Sequence, residues 1–133
     1  MASGQRLVIL VDDDSSIRQA LARLFRTAGL RFTAFESAEE LLESNSLNSA
    51  GCLITDVRMP RMQGLELQQI CCEKWPSLRT IIISAFNDED AEARAMEAGA
   101  IAFLHKPFDP IRLLDLVRGA LEIQKEPKRK KPA

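Results

Sequence analysis

The chain of 133 residues has the length of one domain, with 46% hydrophobic residues, 28% charged residues and a net charge of −1. The charge is uneven, because five basic residues and one glutamate give residues 125–131 a charge of +4 and leave −5 for the rest. An acidic body argues against nucleic-acid binding by the domain itself.

Three cysteines without a CxxC pair and a single histidine argue against a zinc site and a disulfide framework, and indicate free buried thiols. The first residues carry no signal-peptide pattern, and no apolar run approaches the ~18 residues of a membrane span. We therefore expect a cytoplasmic protein without a membrane partner.

The N-terminal half of the chain alternates strand patterns with helix patterns. Leu7–Val11 is a β-branched and leucine run, typical of a strand buried on both faces. A helix whose start is assigned to Asp14 follows, and Gly29 ends it. The next predicted elements are a strand over Leu30–Phe35, a short helix opened by a capping box of Ser37 and Glu40, and a strand over Cys52–Thr55 that ends at Asp56.

The C-terminal half continues this alternation. A helix after Gly64 stops before Trp75-Pro76, because a residue before proline disfavours the helical conformation. Five strand–helix units predict an α/β fold whose parallel sheet carries helices on both faces. The remaining predicted elements are a strand over Thr80–Ile83 that ends at Ser84, a helix from Ala91 to Gly99, a strand over Ile101–Leu104, and a helix opened by Asp109 and Pro110.

Polar side chains follow four of the five predicted strands, at the edge where parallel α/β sheets bind ligands. Three clustered carboxylates require a cation, and oxygen ligands without histidine suit Mg²⁺. A lysine and a serine can bind phosphoryl oxygens, and phosphoryl transfer needs mainly positioning and charge neutralisation. The predicted set, with Asp56 as the nucleophile that accepts a phosphoryl group, is Asp12, Asp13, Asp56, Ser84 and Lys106.

In this order, these segments resemble the receiver domain of bacterial two-component response regulators. The resemblance extends from Leu7 to Glu122 and is similar to the branch whose members carry a helix-turn-helix output domain. The matching segments are Val11-Asp12-Asp13, Asp56-Val57-Arg58-Met59-Pro60 with Gly64, Ile83-Ser84-Ala85, and Gly99-Ala100 followed by Lys106-Pro107-Phe108.

The resemblance implies a flavodoxin-like (βα)5 fold, a three-layer sandwich around a five-stranded parallel sheet of order 2-1-3-4-5. It implies that Asp56 takes a phosphoryl group from a sensor histidine kinase in a Mg²⁺-dependent reaction, with Mn²⁺ as an alternative metal. Asp13 would bind the metal directly and Asp12 largely through water, and Asp56 and the backbone carbonyl of Arg58 would complete the ligands. Lys106 would hold a phosphoryl oxygen.

The same resemblance implies a conformational switch made by Ser84 and Phe103. Ser84 would move towards the phosphoryl group and Phe103 would turn inward, shifting a face made by the fourth helix, the fifth strand and the fifth helix. Because Phe103 lacks a hydroxyl, its inward state would depend on packing. The Lys106-Pro107 peptide bond is expected to be cis.

Arg58 and Phe86 lie two residues beyond Asp56 and Ser84 and are expected to tune dephosphorylation. The kinase-specific surface is expected around the first helix and the loop after Lys106. The candidates on that helix are Ile17, Arg18 and Leu21.

These implications describe a phosphorelay switch whose output is transcription. It is expected not to be a conventional enzyme, although it phosphorylates itself and slowly loses its phosphate. We expect the receiver domain over residues 1–123 and a basic, disordered tail or linker over 124–133. DNA binding would require an effector domain outside this chain, and a phosphorylation-dependent homodimer stays open.

Three other functions fit parts of the pattern. A phosphohydrolase with an aspartate nucleophile would want an acid two residues beyond it, where this chain has Arg58. A flavin or nucleotide module would want a glycine-rich loop after the first strand, where this chain has acids. An interaction module that has lost phosphorylation would not need Asp12, Asp13, Asp56, Ser84 and Lys106.

Overall fold

A computed structural model describes residues 6–85 and 87–125. Phe86 and residues 126–133, which include most of the predicted tail, lie outside the described residues. The strands are β1 (Leu7–Val11), β2 (Phe32–Phe35), β3 (Ala50–Asp56), β4 (Arg79–Ser84) and β5 (Ala102–His105). The helices are α1 (Ser15–Thr27), α2 (Ala38–Glu43), α3 (Gly64–Lys74), α4 (Glu89–Glu97) and α5 (Pro110–Lys125), with a 3₁₀ turn over Ser46–Ser49 before β3.

The five strands form one parallel sheet in the order β2-β1-β3-β4-β5, which confirms the expected topology. Every residue of β1 and β3 is buried, as a strand covered on both faces must be. Because all strands point the same way, the residues that follow β1, β3, β4 and β5 meet at one edge of the sheet. Among the helices of the described residues, none has the length and apolar character needed to cross a membrane.

The core lies in layers on either side of the sheet. Alternate β1 residues face opposite layers: Val8 and Leu10 pack under α1 and α5, and Ile9 packs under α2 and α3. A smaller cluster of Val57, Ile82, Ala91, Ala95 and Ala100 lies under α4. The layer under α4 therefore contains mostly small side chains.

Helix ends follow the predicted local chemistry with one correction. Asp14 caps α1 by accepting from the amide of Ser16 at 2.9 Å, and Gly29 follows α1 with φ +78°. The Ser37 hydroxyl accepts from the Glu40 amide at 3.1 Å, as predicted. The Glu40 carboxylate, however, accepts from the amide of Glu36 at 3.3 Å, one residue before its predicted partner. The first turn of α2 thus extends the capping contact into the preceding loop.

Element boundaries also differ from the sequence prediction. Strand β2 begins at Phe32 rather than Leu30, because Gly29 and Leu30 still hydrogen-bond the end of α1. Strand β3 begins at Ala50 rather than Cys52. Helix α5 extends to Lys125, and the division of the chain after residue 123 stays a prediction.

The three cysteines do not share one environment. Cys52 and Cys71 are free, buried thiols as expected, and burial raises the pKa of each to about 12. Cys72 is free but exposed, so the expectation of a buried thiol is wrong there. Consecutive residues of a helix point about 100° apart, so Cys71 and Cys72 cannot both face the core.

Candidate functional site

Three carboxylates meet at the carboxyl edge of the sheet. Asp12 and Asp13 directly follow β1, and Asp56 is the last residue of the adjacent strand β3. One oxygen from each lies within 4.8 Å of the others. Asp12 is fully buried, Asp56 is 6% exposed, and Asp13 is exposed. The structure therefore brings the predicted acids together with one side open to solvent.

Lys106 joins two of these acids from the end of β5. Its Nζ donates to Asp12 Oδ2 at 3.0 Å and to Asp56 Oδ2 at 2.9 Å. Its backbone amide donates to the carbonyl of Ser84 at 2.8 Å, and its peptide bond to Pro107 is cis, as the resemblance implied. The lysine side chain is only 17% exposed. Lys106 is therefore a component of the acidic site rather than a solvated surface residue.

The titration of this cluster reflects burial and charge together. Burial raises the pKa of Asp12, which the Asp14 amide and Lys106 oppose and the neighbouring Asp56 charge reinforces. Burial lowers the pKa of Lys106, but the hydrogen bonds and charges of Asp56 and Asp12 outweigh it and raise that pKa overall. The raised pKa of Asp12, taken alone, would indicate a weakened ion pair with Lys106. The short contacts of Lys106 Nζ with Asp12 and Asp56 instead indicate a charged ammonium group.

The donor set suits a hard divalent cation. With all groups ionised, three carboxylates and one ammonium carry a formal charge of −2, which one divalent cation neutralises. Both oxygens of Asp12 already accept hydrogen bonds, from the Asp14 amide at 3.0 Å and from Lys106. Asp13 is the exposed carboxylate of the three. Oxygen-only donors are the chemistry that Mg²⁺ and Mn²⁺ prefer.

Ser84 and Phe103 lie on the two strands beyond Asp56. Ser84 is the last residue of β4 and is 1% exposed, one position past the residue that pairs with Asp56. Phe103 lies on β5, is half-buried and packs against the small cluster under α4. Its ring contacts the exposed His105 edge-on, with centroids 5.4 Å apart. Ser84 thus lies at the carboxyl edge of the sheet, next to the strand that ends at Asp56, and Phe103 packs under α4.

The β3–α3 loop is held by a close approach that the sequence did not reveal. A Cβ added at Gly64 would lie 1.9 Å from the backbone oxygen of Asp56. The Gly64 amide donates to the carbonyl of Val57 at 2.8 Å. Only glycine fits this contact, so the first residue of α3 packs directly on the backbone of Asp56. The sequence indicated a tight loop between Pro60 and Gly64, and Gly64 belongs to the matching motif, but its contact with the Asp56 backbone was not predicted.

Glu39 is a residue that sequence reasoning missed. Its carboxylate accepts from the amide of Met62 at 3.0 Å and lies 3.8 Å from the guanidinium of Arg61. Arg61 has φ +66°, a left-handed conformation that an arginine rarely adopts. The Glu39 carboxylate on α2 therefore holds the β3–α3 loop at Arg61, the residue with the left-handed conformation. The hydrogen bond joins Glu39 to Met62, 23 residues later in the chain, and no local sequence pattern predicts it.

Arg58 connects the site to α4. Its amide donates to Asp56 Oδ1 at 3.3 Å, and its guanidinium pairs with Asp88 Oδ2 at 3.3 Å. Asp88 is the N-cap of α4. The predicted partner in tuning, Phe86, lies outside the described residues.

An apolar pocket of about 360 Å³ lies beside the acidic site. It separates α1 from the loop that follows Lys106, and Ile17 and Leu21, two of the predicted kinase-specific residues, contribute to its walls. The lining residues are Ile17, Ala20, Leu21, Lys106, Pro107, Phe108 and Pro110.

Comparisons with known proteins identify the family of this chain. The sequence pattern of the response regulator receiver domain matches residues 8–118. The response regulator protein TmoT of Ectopseudomonas mendocina is 38% identical over 99% of this chain and 60% of its own length. The DNA-binding transcriptional regulator NtrC of Escherichia coli is 41% identical over 90% of this chain and 26% of its own length.

A solved structure extends the likeness to the fold. The beryllofluoride-activated receiver domain of DrrB, from Thermotoga maritima, superposes with a TM-score of 0.81. It is 26% identical, and the match covers 89% of this chain and 98% of the DrrB receiver. The present chain spans little more than half of TmoT and about a quarter of NtrC.

Proposed function

Because the chain belongs to the response regulator receiver domain family, we propose that it is a phosphorylation switch in which Asp56 accepts the phosphoryl group. One observation carries this assignment: Lys106 Nζ lies within hydrogen-bond distance of Asp12 and Asp56 in a cluster of three carboxylates. Asp56 ends β3, shares the cluster with Asp12 and Asp13, and accepts a hydrogen bond from Lys106.

The cluster fits a divalent metal, for which we propose Mg²⁺, with Mn²⁺ as an alternative. Asp13 and Asp56 would bind it directly, Asp12 largely through water, and the carbonyl of Arg58 would complete the protein ligands. The exposure of Asp13 and the two hydrogen bonds already accepted by Asp12 support this division. A bound divalent cation supplies positive charge to the oxygens of the transferred group.

The chain's own residues would carry the transfer. An Asp56 carboxylate oxygen attacks the phosphorus of a phosphohistidine, forming a P–O bond while the P–N bond breaks. The imidazole leaves with the electron pair and takes up a proton. Lys106 neutralises charge on the phosphoryl oxygens, and Ser84 donates to another of them. Water later attacks phosphorus, which releases the Asp56 carboxylate and inorganic phosphate.

A histidine kinase would dock beside this site. The apolar pocket between α1 and the loop after Lys106 offers a surface next to Asp56, and its walls include Ile17 and Leu21. A partner that covers this pocket would bring its phosphohistidine to the open side of the carboxylate cluster. Such a partner would be a cytoplasmic one.

We propose that the switch controls transcription through an effector domain outside this chain. TmoT is a response regulator protein and NtrC a DNA-binding transcriptional regulator by name, and this chain covers only part of each. The receiver unit would occupy residues 1–123, with the remaining residues as a linker. Phosphorylation would shift Ser84 and Phe103 and, through them, the surface of α4, β5 and α5, where a homodimer can form.

The test is phosphorylation by a small donor. Incubation with acetyl phosphate and Mg²⁺, followed by intact-protein mass spectrometry, is expected to add one phosphoryl group. Asp56→Asn and chelation of the metal should each abolish the addition, whereas Asp90→Asn, an exposed carboxylate on α4, should leave it intact. Absence of the added mass, or its persistence in Asp56→Asn, would refute the assignment. Multiple turnover of phosphate monoesters would instead indicate a phosphohydrolase.

A further inference from the structure

Asp88 makes two different contacts at the start of α4. Its Oδ1 accepts from the amide of Ala91 at 3.0 Å, which caps the helix. Its Oδ2 accepts from the guanidinium of Arg58 at 3.3 Å, from a loop 30 residues earlier. The carboxylate that starts α4 is therefore also an anchor to the β3–α3 loop.

The other end of that anchor is the acidic site itself. The amide of Arg58 donates to Asp56 Oδ1 at 3.3 Å. One residue thus contacts Asp56 through its backbone and α4 through its side chain. The guanidinium two residues from Asp56 therefore has an anionic partner on α4.

The rest of α4 is held in place by contacts with residues outside the acidic site. Gln68 of α3, which is 1% exposed, donates its Nε2 to the carbonyl of Ala95 at 2.9 Å. Cys72 Sγ donates to the carbonyl of Ala98 at 3.3 Å. Ala91 and Ala95 pack into the small cluster beneath the helix. The C-terminal half of α4 is thus bound to α3, whereas its first turn is bound to the loop of the site.

The Arg58–Asp88 pair has the properties of a reversible contact. The Arg58 side chain is 55% exposed and that of Asp88 is 28% exposed, so water and competing anions reach both. Ion pairs of this exposure contribute little free energy and can be exchanged at little cost.

We propose that the Arg58–Asp88 pair is a charge-sensitive latch that ties the first turn of α4 to the unmodified site and opens when Asp56 is phosphorylated. This inference rests on the proposed function. Converting the carboxylate to an acyl phosphate adds about one negative charge and three strong acceptor oxygens two residues from Arg58. The guanidinium then turns from Asp88 to the phosphoryl group, because charge-assisted hydrogen bonds to phosphate are strong. The first turn of α4 is released while Gln68 and Cys72 hold its other end.

The latch is tested by residue-resolved amide exchange, measured by NMR with Mg²⁺ and with or without beryllofluoride as the phosphoryl mimic. The reporters are the amides of Ala91 and Glu92, which hydrogen-bond to Asp88, and the reference is the amide of Ala100, which bonds to Ala95. Beryllofluoride is expected to speed exchange at Ala91 and Glu92 by about 1.5- to 5-fold, the range that an exposed ion pair supports, and to leave Ala100 unchanged.

Two matched variants separate the latch from a general charge effect. Asp88→Asn keeps a good N-cap but loses the charge, so Ala91 and Glu92 should exchange fast already without beryllofluoride and respond no further. Asp90→Asn makes the same chemical change in the same turn and removes only the exposed pair with Arg94, so it should respond like the original chain. Arg58→Ala should match Asp88→Asn, and the double variant should show no further increase.

The outcomes are distinguishable. If beryllofluoride binds, as ¹⁹F NMR would report, but exchange at Ala91 and Glu92 does not change, the latch is wrong and the phosphorylation site stands. Equal behaviour of Asp88→Asn and Asp90→Asn would likewise overturn the latch. If beryllofluoride does not bind at all, the proposed function fails and the latch fails with it.

Discussion

Helices α3 and α4 flank the same strand, β4, but they are attached to the acidic site by opposite means. Helix α3 begins at Gly64, whose backbone packs against the carbonyl of Asp56, and buries Leu67 and Cys71 completely. Helix α4 packs with alanines, contacts Arg58 beside the site through an exposed ion pair, and leaves Met96 43% exposed. The difference indicates that α3 keeps Asp56 in place while α4 is free to respond to it.

The largest expected effect comes from disrupting the contact between α3 and the backbone of Asp56. Gly64→Ala would place a methyl group 1.9 Å from the Asp56 carbonyl oxygen, and the helix and β3 would have to separate. We expect the free energy of unfolding to fall by more than about 3 kcal/mol, as for severe overpacking. Urea denaturation followed by the fluorescence of Trp75, the only tryptophan, measures it.

Gly119→Ala is the matched control for that change. Gly119 lies on the exposed face of α5, and an added Cβ would meet no atom within 4 Å. We expect a gain of about 0.5–1 kcal/mol, because alanine is the better helix former. Equal losses at Gly64 and Gly119 would show that α3 is not held by a close contact.

A smaller effect is expected at Glu39, through which α2 supports the β3–α3 loop. Glu39→Ala removes the acceptor for the Met62 amide and frees the loop at Arg61, which we expect to cost about 1 kcal/mol of unfolding free energy. Glu39→Gln keeps a carbonyl acceptor and should cost less than about 0.5 kcal/mol. The same denaturation measurement applies, and a larger loss in Glu39→Gln than in Glu39→Ala would contradict the hydrogen-bond explanation.

The smallest expected effect is a difference in thiol reactivity between the two faces of α3. Burial raises the pKa of the Cys52 and Cys71 thiols to about 12, so both are protonated and unreactive at pH 8. Cys72 is exposed beside α4. We expect iodoacetamide at pH 8 to label the folded protein once, at Cys72, and Cys72→Ser to abolish the labelling. Rapid labelling of Cys71 would show that the core face of α3 opens readily.

Most of the fold followed from local patterns. The β-branched runs, the helix caps at Asp14 and Ser37, and the alternation of strand and helix predicted the elements within a few residues. The family resemblance supplied the strand order. The errors fell at element ends, where alternative local hydrogen bonds compete, as at Leu30, whose amide stays bonded to Phe25 of α1, and at Glu40, whose carboxylate accepts from Glu36 rather than Ser37.

The candidate site divides in the same way. Asp12, Asp13, Asp56, Ser84 and Lys106 could be named in advance, because each ends or follows a strand and parallel strands share one carboxyl edge. The contacts of Gly64 with the Asp56 backbone, of Glu39 with Met62 and of Arg58 with Asp88 could not, because each depends on how separate elements pack. Sequence periodicity reports which face of an element is buried, but not which neighbour lies against it.

By itself, the sequence determined the order of strands and helices and the chemistry at the strand ends, since both follow from residue type and spacing. Only the tertiary structure decided that Lys106 bridges Asp12 and Asp56, that Gly64 packs on the Asp56 backbone, and that Arg58 reaches the cap of α4. These contacts arise from the packing of whole elements on the sheet. They place α3 against the Asp56 backbone and join the Arg58 side chain to the N-cap of α4.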